Sequence, residues 1–235
     1  MQRKPRLLII EDEPAIRAGL IDVFVYHGYA VESAADGADG LARAKRGNFD
    51  LILLDVMLPS VDGFTICGEL RRSDPDLPIM MLTAKTNDDD IIHGLALGAD
   101  DYVGKPFSVA QLVLRVQAVL RRARPALLND AQLRLLGGIS IDTRNLNASI
   151  HGIDTHFTRR EMEVLQYLGA NAERPVSREE LLHKVWGYGR EMEIETRTVD
   201  IHIAKLRRKI ETDPKLPQCL LTVRGGGYRL LLADA

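Results

Sequence analysis

The sequence predicts an α/β chain in two parts: a doubly wound, five-stranded parallel-sheet domain, then a smaller helical domain closed by a β-hairpin. Three observations carry that expectation. Continuous apolar runs at residues 7–10, 51–54 and 79–82 alternate with amphipathic stretches, as strands covered by helices on both faces require. After about residue 132 the periodicity changes to short alternating segments and then to three helical patterns. Charge changes as well: residues 1–120 hold 12 Lys+Arg against 18 Asp+Glu, whereas the rest of the chain holds 19 against 15.

Residues 7–10 open as a buried strand that ends at Glu11 and Asp12. Pro14 suits the start of a helix over 14–27, where its missing N–H costs nothing. A weaker strand at 30–33 precedes a helix over 37–46. The central strand 51–54 ends at Asp55 and leads to a helix over 64–72. The strand 79–82 ends at Thr83, with a helix expected over 88–97. A short strand at 101–103 runs into Lys105 and Pro106, and Ser108, with Gln111 three residues on, marks the start of a helix over 108–122.

Residues 123–132, with Pro125, Asn129 and Asp130, read as a linker between a domain at 1–122 and one at 133–235. Residues 133–157 alternate in short stretches broken by Gly137-Gly138 and His151-Gly152, as in a small antiparallel sheet. Helices are expected over 158–171, 177–186 and 196–210, the first two opened by the capping-box pairs Thr158/Glu161 and Ser177/Glu180. Segments 220–223 and 228–232, around three consecutive glycines, read as a hairpin.

Composition narrows the classes. With 46% apolar and 27% charged residues, the 235-residue chain fits a soluble globular protein. No apolar run approaches the ~18–20 residues that cross a bilayer, and the N-terminal apolar stretch is too short for a signal-peptide core. Cys67 and Cys219, far apart, form neither a disulfide framework nor a zinc pattern, so a reducing cytoplasm is the expected compartment.

In a doubly wound sheet, ligands bind beyond the carboxyl ends of the strands, where the winding reverses. Here those ends carry Glu11 and Asp12, Asp55, Thr83 and Lys105. Crowded carboxylates repel one another and gain from a hard divalent cation; Mg²⁺ suits because it keeps several waters and bridges carboxylates to a phosphate. A lysine opposite can neutralise a phosphoryl oxygen, and a threonine hydroxyl can bind another. The set describes a pocket for placing a phosphoryl group on a carboxylate. Any single acid here is more often a solvated strand end or a helix cap; the joint order is the specific signal.

The stretch 196–210 reads TRTVDIHIAKLRRKI. Val199, Ile203, Leu206 and Ile210 form one apolar stripe, and Arg197, His202, Lys205, Arg208 and Lys209 occupy the other faces. Such a helix can enter a major groove, although terminal basic residues also suit the dipole of any surface helix. The following TVRGGGYRL sets Arg224 beside a glycine tip, suited to a backbone or minor-groove contact.

Over residues 6–122 the chain resembles the receiver domain of bacterial two-component response regulators, through LLIIEDEP, LILLDVMLPSVDG, IMMLTAK and GADDYVGKPF. The resemblance implies that Asp55 accepts phosphate from a sensor histidine kinase. It also implies that Glu11, Asp12, Asp55 and the backbone carbonyl of Met57 hold Mg²⁺, that Lys105 pairs with the phosphate, and that Thr83 and Tyr102 form a switch pair. Over residues 133–232 the chain resembles the winged helix-turn-helix effector domain of the OmpR/PhoB type, through FTRREMEVLQYL, VSREELLHKVWGY, TRTVDIHIAKLRRKI and TVRGGGYRL. By that resemblance 196–210 is the recognition helix and 218–231 the wing. Trp186, Arg197, Thr198, His202, Lys205, Arg207, Arg208, Thr222 and Arg224 fall at DNA-contact positions. A lone Trp after an amphipathic helix usually packs, so Trp186 reads equally as core. Ala204 departs from the pattern, standing where some members place a basic residue.

The function so implied is a phosphorylation-dependent regulator that dimerises and binds adjacent half-sites in promoter DNA, with no membrane partner and with RNA polymerase admitted as a further partner. Family receivers pair through the 88–97 helix, the last strand and the 108–122 helix. Asp101 with Arg115 is one expected cross-subunit ion pair, and Asp100 and Arg122 are available for others. Two other family pairs are replaced, by Ile91 and Gln111 and by Ala96 and Gln117, and Ile91, Ile92 and Leu95 make the expected surface more apolar than the family's; Ile91 packing within its own subunit is the alternative. Phosphatases of the haloacid-dehalogenase type also use a strand-end Asp with Mg²⁺, but they need a second Asp two residues on. This chain has Met57 there, so a turnover enzyme is not expected.

Overall fold

The computed structural model describes residues 3–84, 94, 97–121, 132–189 and 196–233. The chain divides into two compact units, Met1–Arg121 and Arg122–Ala235.

In the first unit, β1 (Arg6–Ile10), β2 (Ala30–Ala34), β3 (Leu51–Asp55), β4 (Ile79–Thr83) and β5 (Asp101–Gly104) form one sheet in the order β2-β1-β3-β4-β5. All neighbours pair in parallel. Strands β1, β3 and β4 are buried on both faces, which is why they read as unbroken apolar runs. β2 lies at the edge and alternates in exposure, which explains its weaker signal. The described helices are α1 (Pro14–Tyr26), α2 (Gly37–Arg46), α3 (Gly63–Ser73) and α4 (Val109–Arg121). The main core joins Leu7, Ile9, Leu53 and Met80 of the sheet to Phe24 of α1 and Val116 of α4. The helix expected at 88–97 lies outside the described residues apart from 94 and 97.

Helix starts are set locally. Asp36 accepts from the backbone N–H groups of Ala38 and Asp39 at the head of α2, and Asp62 from that of Thr65 at the head of α3. Gly63 brings α3 so close to β3 that a Cβ there would lie 2.1 Å from the Asp55 carbonyl oxygen.

The second unit opens with the antiparallel sheet β6 (Gln132–Arg134), β7 (Ser140–Asp142), β8 (Asn147–Ile150) and β9 (Ile153–His156). Gln132, the last residue of the expected linker, is already paired with Asp142 in β6; residues 123–131 lie outside the described residues. Three helices follow, α5 (Arg159–Gly169), α6 (Arg178–Lys184) and α7 (Arg197–Ile210), then the hairpin β10 (Leu220–Val223) and β11 (Gly227–Leu230). The first capping box forms in full; the second forms only by half, because the Glu180 carboxylate is taken by Arg174 and Tyr167. Thr158 and Glu161 bond reciprocally at the head of α5, and Ser177 accepts from Glu180 N–H at the head of α6. Gly227 has φ +103°, and a Cβ there would meet the Val176 carbonyl oxygen at 2.1 Å, so a glycine lets the hairpin reach the Val176–Tyr228 bridge.

Candidate functional site

The sheet winds outward from β1 in one direction to β2 and in the other through β3, β4 and β5, so the crevice at its carboxyl edge lies between β1 and β3. Glu11 and Asp12 follow β1, and Asp55 ends β3. One carboxylate oxygen from each of the three lies within 4.8 Å of the others, the sole group of potential metal ligands among the described residues. Glu11 and Asp55 are buried and Asp12 is exposed, so the cluster opens to solvent on one side.

Lys105 reaches in from the end of β5. Its Nζ donates to Glu11 Oε1 at 2.9 Å and Oε2 at 2.8 Å, and to Asp55 Oδ2 at 2.8 Å. Burial raises the pKa of the Glu11 carboxyl above its ordinary value, and the Asp55 charge adds to the rise, against the Lys105 bond. Burial opposes the charge on Lys105, but its bonds to Asp55 and Glu11 outweigh burial and raise its pKa. Met57 N–H donates to Asp55 Oδ1 at 3.2 Å, and its side chain is 58% exposed. Thr83 closes β4 in register with Gly104, next to Lys105. Tyr102 is buried in β5 opposite Met81. Glu11, Asp12, Asp55 and Lys105 therefore meet at one edge of the sheet, where β4 also ends at Thr83.

Helix α7 and the hairpin form a second assembly. Arg197, Ala204 and Arg208 are exposed along α7, and Thr222 and Arg224 are exposed on the hairpin. Arg207 donates to the Leu220 carbonyl at 2.8 Å and to Thr222 Oγ1 at 2.8 Å, tying α7 to β10. Asp200 Oδ1 accepts from Arg178 at 2.6 Å and from the Tyr228 hydroxyl at 2.5 Å, and joins α6, α7 and β11 at one point. Desolvation first, and then the bond to Asp200, push Tyr228 up to about 12.

Several expected contacts face inward. Trp186 is fully buried, under the Arg160 guanidinium at 4.8 Å and edge-on to His202 at 5.1 Å. His202 is 2% exposed, and its Nδ1 lies 2.8 Å from the Thr198 carbonyl oxygen, so that nitrogen carries the proton and donates. Burial, with the charges of Lys205 and Arg160, pulls His202 down to about 4 against that bond. Thr198 is buried beside it. Lys205 lies 3.0 Å from Glu161 Oε1, and Lys209 bonds Glu161 Oε2 at 2.7 Å. Trp186, Thr198 and His202 are therefore buried within the unit, and Lys205 is paired there. A buried carboxylate and an aromatic core claim them.

Several of the expected dimer residues have partners within the chain. Asp100 is buried, with its Oδ2 2.6 Å from Arg71 and accepting from Ile79 N–H at 2.9 Å, so it serves the chain's own fold. Arg115 pairs with Asp101 at 2.9 Å within the chain. Gln111 is exposed on α4. Ile91 and Arg122 lie outside the described residues.

Glu161 and Asp200 organise this unit beyond what the sequence indicates. Glu161 carries a sequence signal only as half of a capping box, and Asp200 only as an acid in a basic helix. No described helix is long and apolar enough to cross a membrane.

Comparison with known proteins agrees with both assemblies. The family model of the response regulator receiver domain matches residues 7–117, and that of the C-terminal domain of transcriptional regulatory proteins matches residues 152–230. The chain is 41% identical over 230 residues to the probable transcriptional regulator ycf27 of Porphyridium aerugineum, covering 96% of this chain and 95% of the relative. It is 41% identical over 226 residues to the transcriptional regulatory protein AfsQ1 of Streptomyces coelicolor, covering 96% and 98%. Among solved structures it resembles the response regulator DrrB, a Thermotoga maritima OmpR/PhoB homologue, at 30% identity and a TM-score of 0.52, over 97% of this chain and 100% of that one. An acidic crevice on a five-stranded receiver sheet, followed by a basic helix and wing, places this chain among the OmpR/PhoB-type two-component response regulators, transcriptional regulators with a receiver and a DNA-binding domain.

Proposed function

We propose that Asp55 is the phosphoacceptor and that its phosphorylation promotes receiver dimerisation and promoter binding. The observation that carries this reading is the Lys105 ammonium, held 2.8 Å from Asp55 and 2.8 Å from Glu11 in a crevice that also presents Asp12. A sensor histidine kinase is the donor: the P–N bond of its phosphohistidine breaks as an Asp55 oxygen–phosphorus bond forms. Hard carboxylate oxygens in this number suit Mg²⁺. Glu11, Asp12, Asp55 and the Met57 carbonyl would hold it, and it would neutralise charge on the transferring group. Lys105 is within reach of the phosphoryl oxygens, and Thr83 and Tyr102 form the switch pair. Met57 stands where a hydrolase needs its general acid/base, so the chain acts as a switch and not as a turnover enzyme.

The DNA-binding role falls to the exposed basic groups, Arg197 and Arg208 of α7 and Arg224 of the hairpin, with Arg207 and Thr222 fixing the wing to the helix. Adjacent half-sites, a homodimer, RNA polymerase as a partner and a cytoplasmic setting complete the reading. Incubation with a small phosphodonor and Mg²⁺ tests its centre. One phosphoryl mass should appear on the wild type and none on Asp55→Asn; undiminished labelling of the variant overturns the assignment.

A further inference from the structure

Arg17 stands one turn into α1, where a cation opposes the partial positive charge of the helix N-terminus. Its guanidinium folds back over the preceding loop. Nη1 donates to the main-chain carbonyl oxygens of Glu11, at 2.6 Å, and of Asp12, at 2.9 Å. These are the two residues that bring carboxylates to Asp55 from the β1 end. Side-chain support for the turn from the N-cap is lacking, since Glu13 makes no side-chain cap bond; only its N–H approaches Glu11 Oε1, at 3.4 Å.

We propose that Arg17 is a positioning residue for the divalent-cation site, restraining the turn at Glu11 and Asp12 so that both carboxylates meet one ion. The proposal rests on the Mg²⁺ reading above. Arg17 has two effects of opposite sign. A guanidinium near a cation site repels the ion and weakens binding. A hydrogen bond that orients the ligand-bearing main chain strengthens it. Here the geometry favours orientation, because the donor is directed at carbonyl dipoles and leaves the carboxylate oxygens to the ion and to Lys105.

The sign of the change in affinity separates the two effects. Mg²⁺ is titrated calorimetrically into the full chain as wild type, Arg17→Ala and Arg17→Lys. Positioning predicts that Arg17→Ala binds Mg²⁺ about tenfold more weakly. Arg17→Lys keeps the charge but loses the planar fork, so it falls between the two. With a small phosphodonor, the Mg²⁺ concentration for half-maximal labelling should rise by the same factor while the maximal rate holds. Unchanged or tighter Mg²⁺ binding by Arg17→Ala overturns the proposal, even where its thermal midpoint drops. Arg17→Lys binding as tightly as wild type overturns it too, and remains readable should the alanine variant not fold. Failure of the wild type itself to bind Mg²⁺ removes the metal reading, and the positioning role with it.

Discussion

Lys205, on the helix whose sequence suggests DNA reading, lies 3.0 Å from the buried carboxylate of Glu161 on α5. Lys209 meets the other oxygen of that carboxylate at 2.7 Å. Burial opposes the charge on Glu161, but Lys205 and Lys209 prevail and hold it at about 2. One acid thus caps α5 and fastens α7 to it. Removing one partner of a buried ion pair strands the rest, at a cost of about 3–5 kcal/mol. Glu161→Ala should therefore lower the denaturation midpoint of the winged unit severely, read by the fluorescence of Trp186, the single tryptophan of the chain. A change under about 1 kcal/mol, the size expected of a lost cap alone, would show that the lysines contribute nothing.

The pH dependence follows from the same cluster. His202 is buried, with its pKa lowered to about 4, while an unfolded histidine titrates near 6.5. Above pH 6.5 both states are neutral and His202 has no effect. As pH falls from 6.5 to about 4, the unfolded chain takes up a proton that the folded one refuses, and stability drops by on the order of 3 kcal/mol. Glu161 acts lower: its contribution is present above 4.5 and is lost as pH falls toward about 2. Denaturation followed through Trp186 should show the upper loss in wild type and not in His202→Gln, which keeps an N–H donor but does not titrate. Equal pH profiles for the two proteins would refute the assignment.

The inward lysines also mark where the sequence stopped being legible. The strands β1, β3 and β4 and the pocket acids were readable because both follow from local pattern: unbroken apolar runs, each ending in a charged or hydroxyl residue. The reach of Lys105 to both Glu11 and Asp55 follows once the strand order is known. Helix α7 differs. Its stripe of Val199, Ile203, Leu206 and Ile210 is buried as its period requires. Thr198, Ile201 and His202 are buried too, because the domain packs on more than that stripe. No helical period reveals that Lys209 has a partner 48 residues earlier. Asp101 and Arg115 were legible as a pair, but not the chain in which they would meet.

DNA affinity should divide the basic residues accordingly. Each neutralised phosphate contributes about −0.9 to the log–log salt slope. Arg224 is exposed at the hairpin tip, so Arg224→Ala should flatten the slope by ~1 and weaken all sequences alike. With His202 buried, Arg197 is the expected base reader, and its alanine variant should lose ~1–3 kcal/mol and relax one base position. Lys205→Gln should leave the slope unchanged, because its ammonium faces Glu161. Binding measured across a salt series tests all three, and a salt-insensitive complex would defeat the reading.

The lifetime of the phosphorylated state is set by what stands beside Asp55. Met57, two residues on and 58% exposed, offers no carboxylate or amide to orient an attacking water. Phosphoprotein decay without a phosphatase should take minutes or longer. Met57→Asn, which supplies a hydrogen-bonding side chain there, should shorten it. Loss of the phosphoryl group from wild type within seconds would contradict the argument.

The dimer should be held more by apolar contact than by charge. Asp100, one acid available to a cross-subunit pair, is taken by Arg71 at 2.6 Å inside the chain. Asp101 already has Arg115 at 2.9 Å, and both are largely buried, so an exchange across a two-fold axis would trade one ion pair for another. By the family resemblance, Gln111, exposed on α4, and Ile91 stand where a charged pair is expected, so the proposed dimer would carry no uncompensated charge there. Leu114 on the same helix is 49% exposed and would add apolar surface to the proposed dimer. Phosphorylated protein should therefore sediment as a dimer that survives raised salt, since screening weakens ion pairs and leaves apolar burial intact. Ile91→Lys should dissociate it by placing a charge against apolar surface. Dimers that fall apart in moderate salt, or that ignore Ile91→Lys, would show that ionic contacts or another surface hold the two copies together.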